Sequence, residues 1–265
     1  MTTQNLPNEA RAGQLLYEEH QARDRYSLMA QDYAPQTIAQ AYACQKVFMD
    51  LRAESAGGYA GYKIGYATQN MQQLFGISEP AFGRILQSTV SPSGAVLNAE
   101  DYIELLVECE VGIRINEDIT GGPFDKDRIF AAVGEIMVAF EIVDSRPCLG
   151  PRSIEQSIST NIINAGAVLG ERVLNWRELD IPGSECRLSV NGSQVGSGRG
   201  ADVIGHPVLP ICWLAEALEA RGEYLRRGDI VLTGSMIAPH ALVQGDEVTL
   251  QMENLGEIGL SIQGK

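Results

Sequence analysis

Polar and apolar residues alternate along residues 103–115, which read IELLVECEVGIRI. Odd positions are apolar, whereas the even positions include Glu104, Glu108, Glu110 and Arg114. This period of two predicts a β-strand. Glu108 and Glu110 would share one face, with their Cβ atoms about 6 to 7 Å apart at the ordinary rise of a strand. The two carboxylates would therefore be close enough to bind one cation.

A second apolar run, EIMVAFEIVD at residues 135–144, shows no alternation. Such a run is typical of a strand that is buried on both faces. Glu141 lies inside this run, where an ionised carboxylate is costly to bury unless a positive group meets it. We therefore predict that Glu108, Glu110 and Glu141 bind one divalent metal ion.

Two simpler interpretations fit the same residues. An alternating strand commonly turns its charged face to water, which would account for Glu108 and Glu110 without a metal. Glu141 would also be satisfied by an ion pair with an arginine such as Arg146 or Arg152. The spacing of the glutamates leaves these alternatives open.

The remaining pattern predicts helices near the N-terminal end and short strands after them. Helices are predicted at residues 9–30, 37–54, 121–133 and 207–221. Strands are predicted at residues 59–68, 229–233, 247–252 and 257–262, with a hairpin at residues 185–196 around an Asn191-Gly192 turn. Residues 76–94, which are rich in Gly, Pro and Ser, are predicted to form a loop. Many short strands with few helices between them indicate an α+β fold with a mainly antiparallel core.

Lys63 is the one basic residue that the pattern singles out. It lies on the predicted strand at residues 59–68, and Gly61 and Gly65 flank it on its own face. Small residues on a strand leave room for another group or a ligand to approach. A strand lysine is usually a solvated surface residue, but this position makes Lys63 a candidate for a site.

Composition narrows the class of protein. The chain has 265 residues and is 45% hydrophobic, which is enough for a sizeable core. No apolar run approaches the roughly 20 residues of a membrane span, and residues 1–13 contain no hydrophobic signal segment, so we expect a cytoplasmic protein without a membrane partner. Five scattered cysteines without a C-x-x-C pair disfavour a disulfide framework and a zinc site. The net charge of -14 disfavours nucleic acid as a partner.

Five stretches together resemble one family. They are GYKIGYAT at residues 61–68, VECEVGIRI at 107–115, VAFEIVDSR at 138–146, GHPVLPICWLAEAL at 205–218 and GDIVLTGS at 228–235. In this order they resemble the 2-keto-4-pentenoate hydratases of the fumarylacetoacetate hydrolase superfamily, which also includes 4-oxalocrotonate decarboxylases. The resemblance runs from about Tyr42 to the C-terminus.

The resemblance implies the architecture and the assembly. We expect a helical N-terminal part at residues 1–75, followed by a fumarylacetoacetate hydrolase-like catalytic domain at residues 76–265. That domain would be a curled roll of mixed β-sheet around the active site. Members of this family are usually homo-oligomers, so we expect one here.

The resemblance also implies roles for particular residues. The metal ligands fall on Glu108, Glu110 and Glu141, and the active-site lysine falls on Lys63. Hard oxygen ligands suit Mg²⁺ or Mn²⁺. Candidates for substrate binding are Tyr66, Asn161, Thr233 and Ser235, the last two as hydroxyls at the end of a strand.

Two positions depart from the usual family sequence. Ser159-Thr160-Asn161 stands where related hydratases usually carry Ala-Asp-Asn, so an acidic group near the substrate is missing. Tyr66 and Ala67 stand where Leu and Thr are common. Both changes fall where the family contacts its substrate, so they bear on the substrate rather than on the metal.

The implied reaction adds water to a 2-hydroxy-2,4-dienoate and gives a 4-hydroxy-2-oxo acid. The metal would be a Lewis acid at the C2 oxygen, and Lys63 would transfer protons with a pKa lowered by desolvation. Decarboxylation of a 2-oxo dioic acid and C–C hydrolysis of an acylpyruvate are alternatives on the same site. A catalytically idle partner subunit is the alternative outside enzymes.

Overall fold

The computed structural model describes residues 6–146 and 153–264. Arg152, one of the two arginines predicted as a possible partner of Glu141, lies outside these residues, as does Cys148. None of the helices in the described ranges is long and apolar enough to cross a membrane.

Two helices at the N-terminal end, α1 (Asn8–Ala22) and α2 (Ile38–Ser55), pack against each other. Helix α2 begins where the sequence predicts, because the Thr37 side chain accepts a hydrogen bond from the backbone N–H of Gln40. Helix α1 is shorter than the predicted helix at residues 9–30. It ends because Arg23 adopts a left-handed conformation, with a φ of 57°.

Four shorter helices and thirteen strands follow in the described part of the chain. The helices are α3 (Gln69–Phe75), α4 (Lys126–Ala132), α5 (Ile154–Ser159) and α6 (Pro210–Glu219). The strands are β1 (Tyr59–Gly65), β2 (Ala81–Leu86), β3 (Val90–Pro92), β4 (Ala95–Asn98), β5 (Leu105–Ile115), β6 (Val133–Asp144), β7 (Asn164–Leu169), β8 (Glu185–Val190), β9 (Ser193–Arg199), β10 (Ile230–Leu232), β11 (Ile237–Ala241), β12 (Glu247–Met252) and β13 (Gly256–Gln263).

The main sheet has eight strands in the order β2-β1-β10-β5-β6-β7-β3, with β11 also paired to β5. The sheet curls until β2 contacts β7. The side chain of Asn161 fastens this closure, because its amide bonds both the N–H and the carbonyl of Arg84 on β2. A separate small core, made of residues such as Ala139 and Ala167, fills the inside of the curled sheet.

The second sheet has five strands in the order β4-β13-β12-β8-β9 and covers the outer face of the first. Its apolar residues, among them Leu250 and Ile258, share one core with Val138 and Phe140 of β6. The predicted hairpin is confirmed, since Asn191 and Gly192 both have positive φ angles between β8 and β9. The predicted α+β fold with a curled roll of mixed sheet is also confirmed.

One prediction of detail is wrong. The predicted loop at residues 76–94 contains β2 and β3, because the AFGRIL sequence of β2 pairs with β1 despite its Gly- and Pro-rich surroundings. The prediction of a mainly antiparallel core is confirmed, because eight of the eleven strand pairings in the described residues are antiparallel. The three parallel pairings are β1 with β10, β3 with β7 and β4 with β13. The division after residue 75 stays a prediction, although β1 belongs to the main sheet and the helix pair ends at Ser55.

Candidate metal centre

The three predicted carboxylates meet on the inner face of the main sheet. Glu108 on β5 is the direct register partner of Glu141 on β6, and Glu110 lies two residues further along β5. One carboxylate oxygen from each of the three residues lies within 4.8 Å of the others. Glu110 and Glu141 have no exposed surface, whereas Glu108 is half-buried. The interpretation that water solvates Glu110 is therefore wrong, and Glu108 marks the side open to a ligand.

Protein groups bind one oxygen of each fully buried glutamate. The Nζ atom of Lys63 lies 3.1 Å from Oε1 of Glu141, and Nδ2 of Asn164 donates to the same oxygen at 2.9 Å. The backbone N–H of Gly234 donates to Oε2 of Glu110 at 2.7 Å. The predicted pairing of Glu141 with Arg146 is wrong, because Arg146 forms its ion pair with a different carboxylate on β6.

The other oxygen of each buried glutamate has no partner in the described residues. Oε1 of Glu110 and Oε2 of Glu141 are both buried without a hydrogen bond. An ionised oxygen in the interior is costly unless a donor or a cation meets it. The three glutamates place their carboxylate oxygens close together, and two of these oxygens are the unpartnered atoms. Mg²⁺ and Mn²⁺ prefer oxygen ligands of this kind. The side chains present therefore fit a divalent metal ion.

The charges of the cluster are unbalanced. Burial, strengthened by the negative charge of Glu141, raises the pKa of Glu108 to about 7. Burial and the charges of Glu141 and Glu108 raise the pKa of Glu110 well above its ordinary value. Burial alone would lower the pKa of Lys63, but the three carboxylates outweigh it and raise that pKa above its ordinary value. The predicted lowering of the Lys63 pKa concerned a lysine beside a bound metal ion, and it stays a prediction.

The predicted substrate-binding side chains are largely engaged within the protein. The Thr233 hydroxyl donates to the carbonyl of Val111 at 3.1 Å, and the Ser235 hydroxyl donates to the carbonyl of Ile237 at 2.6 Å. The Asn161 amide forms the two hydrogen bonds with Arg84 that hold the curled sheet closed. These bonds position strands around the carboxylates, and a direct role with the substrate stays a prediction.

Two of the positions that depart from the family sequence, Tyr66 and Thr160, come directly after β1 and α5. Tyr66 follows β1 with a φ of 57°, and its ring centroid lies 4.7 Å from that of Phe75 on α3. Thr160 is buried at the end of α5, where its hydroxyl donates to the carbonyl of Gln156 at 3.0 Å. Thr160 thus ends a helix and adds no charge.

Two groups that touch the carboxylates were not predicted, namely the Asn164 side chain and the Gly234 N–H. Asn164 begins β7, which pairs with β6, and only this pairing brings its amide to Glu141. Gly234 has a φ of 113°, and a Cβ there would lie 2.9 Å from the Cβ of Ala67. The glycine in the TGS sequence was a signal for a tight backbone turn, but not for the carboxylate it binds.

Comparisons with known proteins show which family the chain is similar to. The family model of the fumarylacetoacetate (FAA) hydrolase C-terminal domain matches residues 65–263. The chain is 28% identical to a 2-hydroxyhexa-2,4-dienoate hydratase of Comamonas testosteroni, covering 92% of this chain and 93% of the relative. It is also 28% identical to a 2-oxo-hept-4-ene-1,7-dioate hydratase of Escherichia coli, covering 92% and 94%. It is 26% identical to a 4-oxalocrotonate decarboxylase of Pseudomonas putida, covering 91% and 90%.

A solved structure shares the whole fold. The 4-oxalocrotonate decarboxylase from Pseudomonas putida G7, complexed with magnesium and adipate, superposes with a TM-score of 0.89 at 22% sequence identity. The match covers 96% of this chain and 97% of that one. Because the family model spans most of the sequence, the chain belongs to the fumarylacetoacetate hydrolase family.

Proposed function

We propose that this chain is a divalent-metal-dependent hydratase, which adds water to a 2-hydroxy-2,4-dienoate and gives a 4-hydroxy-2-oxo acid. The observation that carries the proposal is the cluster of Glu108, Glu110 and Glu141, with its two unpartnered buried oxygens, beside Lys63. Relatives named as hydratases of 2-hydroxyhexa-2,4-dienoate and of 2-oxo-hept-4-ene-1,7-dioate support this reaction.

Glu108, Glu110 and Glu141 would hold the metal, which we propose to be Mg²⁺ or Mn²⁺. When bound, the cation supplies a Lewis acid for the carboxylate and the C2 oxygen of the substrate. The chain fixes the carboxylates before binding, because Gly234 and Asn164 each bond one oxygen and leave the other directed elsewhere. Such supporting hydrogen bonds are a general feature of metal sites.

The reaction takes place in two stages, and each stage adds a proton to a carbon atom of the substrate. In the first stage a proton is added at C5 of the dienol while the C2 hydroxyl loses its proton, which leaves a 2-oxo-3-enoate. In the second stage the oxygen of water adds at C4, the water gives up one proton, and a proton is added at C3. We propose Lys63 as the group that exchanges these protons, since its Nζ lies 3.1 Å from Oε1 of Glu141, one of the three clustered glutamates.

The state of Lys63 follows from the charges around it. The three carboxylates keep its ammonium protonated, so Lys63 begins as a proton donor. Neutralising the carboxylates would leave burial as the dominant influence on the Lys63 pKa. Burial lowers the pKa of a lysine toward the range where an amine can both give and take a proton near neutrality.

The decisive experiment follows the ultraviolet absorbance of 2-hydroxypenta-2,4-dienoate mixed with purified protein. We expect loss of the dienol band with Mg²⁺, no loss after EDTA treatment, and 4-hydroxy-2-oxopentanoate as the product. Glu110→Gln should abolish the reaction. Glu104→Gln, which makes the same change at an exposed position just before β5, should leave it intact. A persistent dienol band in the wild-type protein with Mg²⁺ would contradict the hydratase proposal.

Decarboxylation is the second candidate, and the 26% identical 4-oxalocrotonate decarboxylase of Pseudomonas putida favours it. The same site would accept a substrate with a second carboxylate, whose C–C bond electrons flow toward the C2 oxygen as CO₂ leaves. Incubation with 4-oxalocrotonate and measurement of released CO₂ tests it directly. Turnover of 4-oxalocrotonate without turnover of the dienol would replace the first proposal by the second.

Three further properties of the protein stay predictions from the sequence. We expect a homo-oligomer, a cytoplasmic location and no binding of nucleic acid. The last follows from the net charge of -14. Light scattering and an electrophoretic mobility assay would test the first and the last.

A further inference from the structure

A second group of charged side chains lies between the helix pair and the main sheet, and shares no lining residue with the carboxylate cluster. It surrounds a cavity of about 350 Å³. The polar residues that line this cavity include His20, Arg23, Arg52, Ser88, Asp101 and Arg146. Three arginines therefore face a volume that is large enough for a small molecule.

Carboxylates already neutralise two of these arginines. Arg146 is buried, and its Nε atom lies 2.7 Å from Oδ2 of Asp144. Arg23 lies at the exposed rim, and its Nη2 atom lies 3.0 Å from Oδ1 of Asp101. These two pairs contribute no excess charge to the cavity.

Arg52 has no such carboxylate among the described residues. It lies half-buried in the last turn of α2, where Nη1 is 3.9 Å from Sδ of Met49 and the guanidinium lies 5.5 Å from the ring centre of Phe48. None of the ion pairs within residues 6–146 and 153–264 includes Arg52. The cavity thus retains one positive charge that a described carboxylate does not meet.

A role in helix stability does not account for this geometry. A cation near the C-terminal end of a helix is favourable, and it commonly bonds the last carbonyl groups. The Arg52 guanidinium donates no hydrogen bond to those carbonyls in the described structure, where its Nη1 atom contacts sulfur instead. Arg52 lines the cavity, and within the described residues Sδ of Met49 is the only hydrogen-bond acceptor that its guanidinium meets.

The surroundings disfavour positive charge. Burial lowers the pKa of Arg52 and outweighs the opposing effect of Tyr26, while the nearby guanidinium of Arg146 lowers this pKa further and Asp144 raises it slightly. Burial lowers the pKa of His20 to about 2, so this histidine is neutral and adds no second cation. An anion in the cavity would offset the cost of placing two guanidinium groups so close together.

We propose that this cavity binds a small oxyanion, a carboxylate or a phosphate, with Arg52 as its main cation and Arg146 as its buried floor. Guanidinium groups suit both ligands, because their parallel donors match pairs of oxygen atoms. Ser88 lines the rim and offers a hydroxyl. The site is separate from the proposed hydratase reaction and needs no metal.

Isothermal titration of the full chain with inorganic phosphate, and separately with succinate, tests this proposal. Metal is first removed with EDTA, which is then dialysed away because it is itself a polycarboxylate. At constant ionic strength the metal-free carboxylate cluster then repels both anions. We expect one saturable site per chain, and the tighter of the two ligands identifies the class. Arg52→Gln should weaken binding roughly tenfold or more, because a charged hydrogen-bonded pair is lost.

Two further variants make the result specific. Arg227→Gln removes the same charge from an exposed arginine that forms no ion pair in the described residues, and it should leave the affinity unchanged. Arg52→Lys keeps the charge but loses the planar donors, so its affinity should lie between wild type and Arg52→Gln. It also decides the matter if Arg52→Gln does not fold.

Two outcomes would overturn the proposal. One is the absence of saturable binding of either anion to the wild-type protein. The other is equal weakening by Arg52→Gln and Arg227→Gln, which would indicate general electrostatic attraction. Neither outcome depends on turnover of a dienoate, so failure here is distinct from failure of the hydratase proposal.

Discussion

Two groups of buried charge lie on neighbouring strands, and they are balanced in opposite ways. Arg84 on β2 meets Glu223 through two hydrogen bonds of 2.7 Å, one from each Nη atom, so one cation faces one anion. The cluster around Lys63 on β1 instead has three carboxylates for one ammonium, and two of its buried oxygens lack a partner in the described residues. The Arg84 pair also has one such buried atom, Nε of the arginine, but its charges balance. Both groups cost desolvation, but only the second leaves charge unmet.

The difference separates a structural pair from a ligand site. A paired charge contributes to the fold and needs no ligand to neutralise it. An excess of one sign in the interior is relieved by a change of protonation or by a ligand of the other sign, and functional sites concentrate such perturbed groups. The cavity at Arg52 follows the same rule, but its excess charge is positive and amounts to a single guanidinium.

The strongest test of this contrast replaces the single cation of the cluster. We expect Lys63→Met to lower kcat roughly 10²- to 10⁴-fold, the usual contribution of a proton-transferring side chain, while the protein still binds Mn²⁺. Dienol turnover and Mn²⁺ titration measure the two effects. Lys46→Met, an exposed lysine on α2, is the control. Full activity in Lys63→Met would remove this residue from the mechanism.

The paired arginine should respond in the opposite way. We expect Arg84→Met to lower the free energy of unfolding by about 3 kcal/mol, because Glu223 loses its partner in a partly buried place. Its affinity for Mn²⁺ should not change. Urea denaturation and Mn²⁺ titration test this, with Arg199→Met as the control at an exposed pair whose loss costs at most about 1 kcal/mol. Loss of metal binding in folded Arg84→Met would show that the two groups are not independent.

A smaller effect is expected where a neutral side chain orients a carboxylate. Asn164→Ala should weaken Mn²⁺ binding about tenfold, because Glu141 loses a hydrogen bond that fixes its orientation. Asn161→Ala should instead reduce stability and leave the affinity of the folded protein nearly unchanged, since its amide bonds only Arg84. The opposite assignment of effects would mean that Asn161 acts at the site.

The smallest effect concerns pH. The pKa of Glu108 is raised from 4.5 to about 7 on folding, and that of Glu110 is also raised, so the folded state holds extra protons between these values. The stability that the Glu108 proton contributes is complete below the unfolded pKa and is lost as pH rises through about 7, whereas that of the Glu110 proton is lost as pH rises through the raised pKa of that residue.

The thermal midpoint of EDTA-treated protein should therefore fall by a few degrees from pH 5 to pH 8. Glu110→Gln should flatten this slope, and Glu104→Gln should not. Mn²⁺ should raise the midpoint more at pH 8, where the carboxylates are ionised, than at pH 5. A midpoint independent of pH in the metal-free wild type would contradict this balance of charges.

Local pattern was sufficient for many elements of the fold. Helix α2 with its Thr37 cap, the hairpin at Asn191-Gly192 and the final pair β12–β13 all follow from short-range periodicity and turn chemistry. Strand β2 was missed because glycine, proline and serine around it resemble a loop, whereas its pairing with β1 is a long-range property. The end of α1 at Arg23 was missed for want of a local signal.

By itself the sequence determined that Glu108 and Glu110 share a strand face, that Glu141 is buried, and that a lysine lies between two glycines. Only the tertiary structure decided which groups contact these side chains. The register of β5 against β6 sets Glu108 opposite Glu141, and the turn at Gly234 directs its N–H to Glu110. The direction of the Lys63 pKa shift was likewise a tertiary property, because it depends on charges that approach through space from distant parts of the chain.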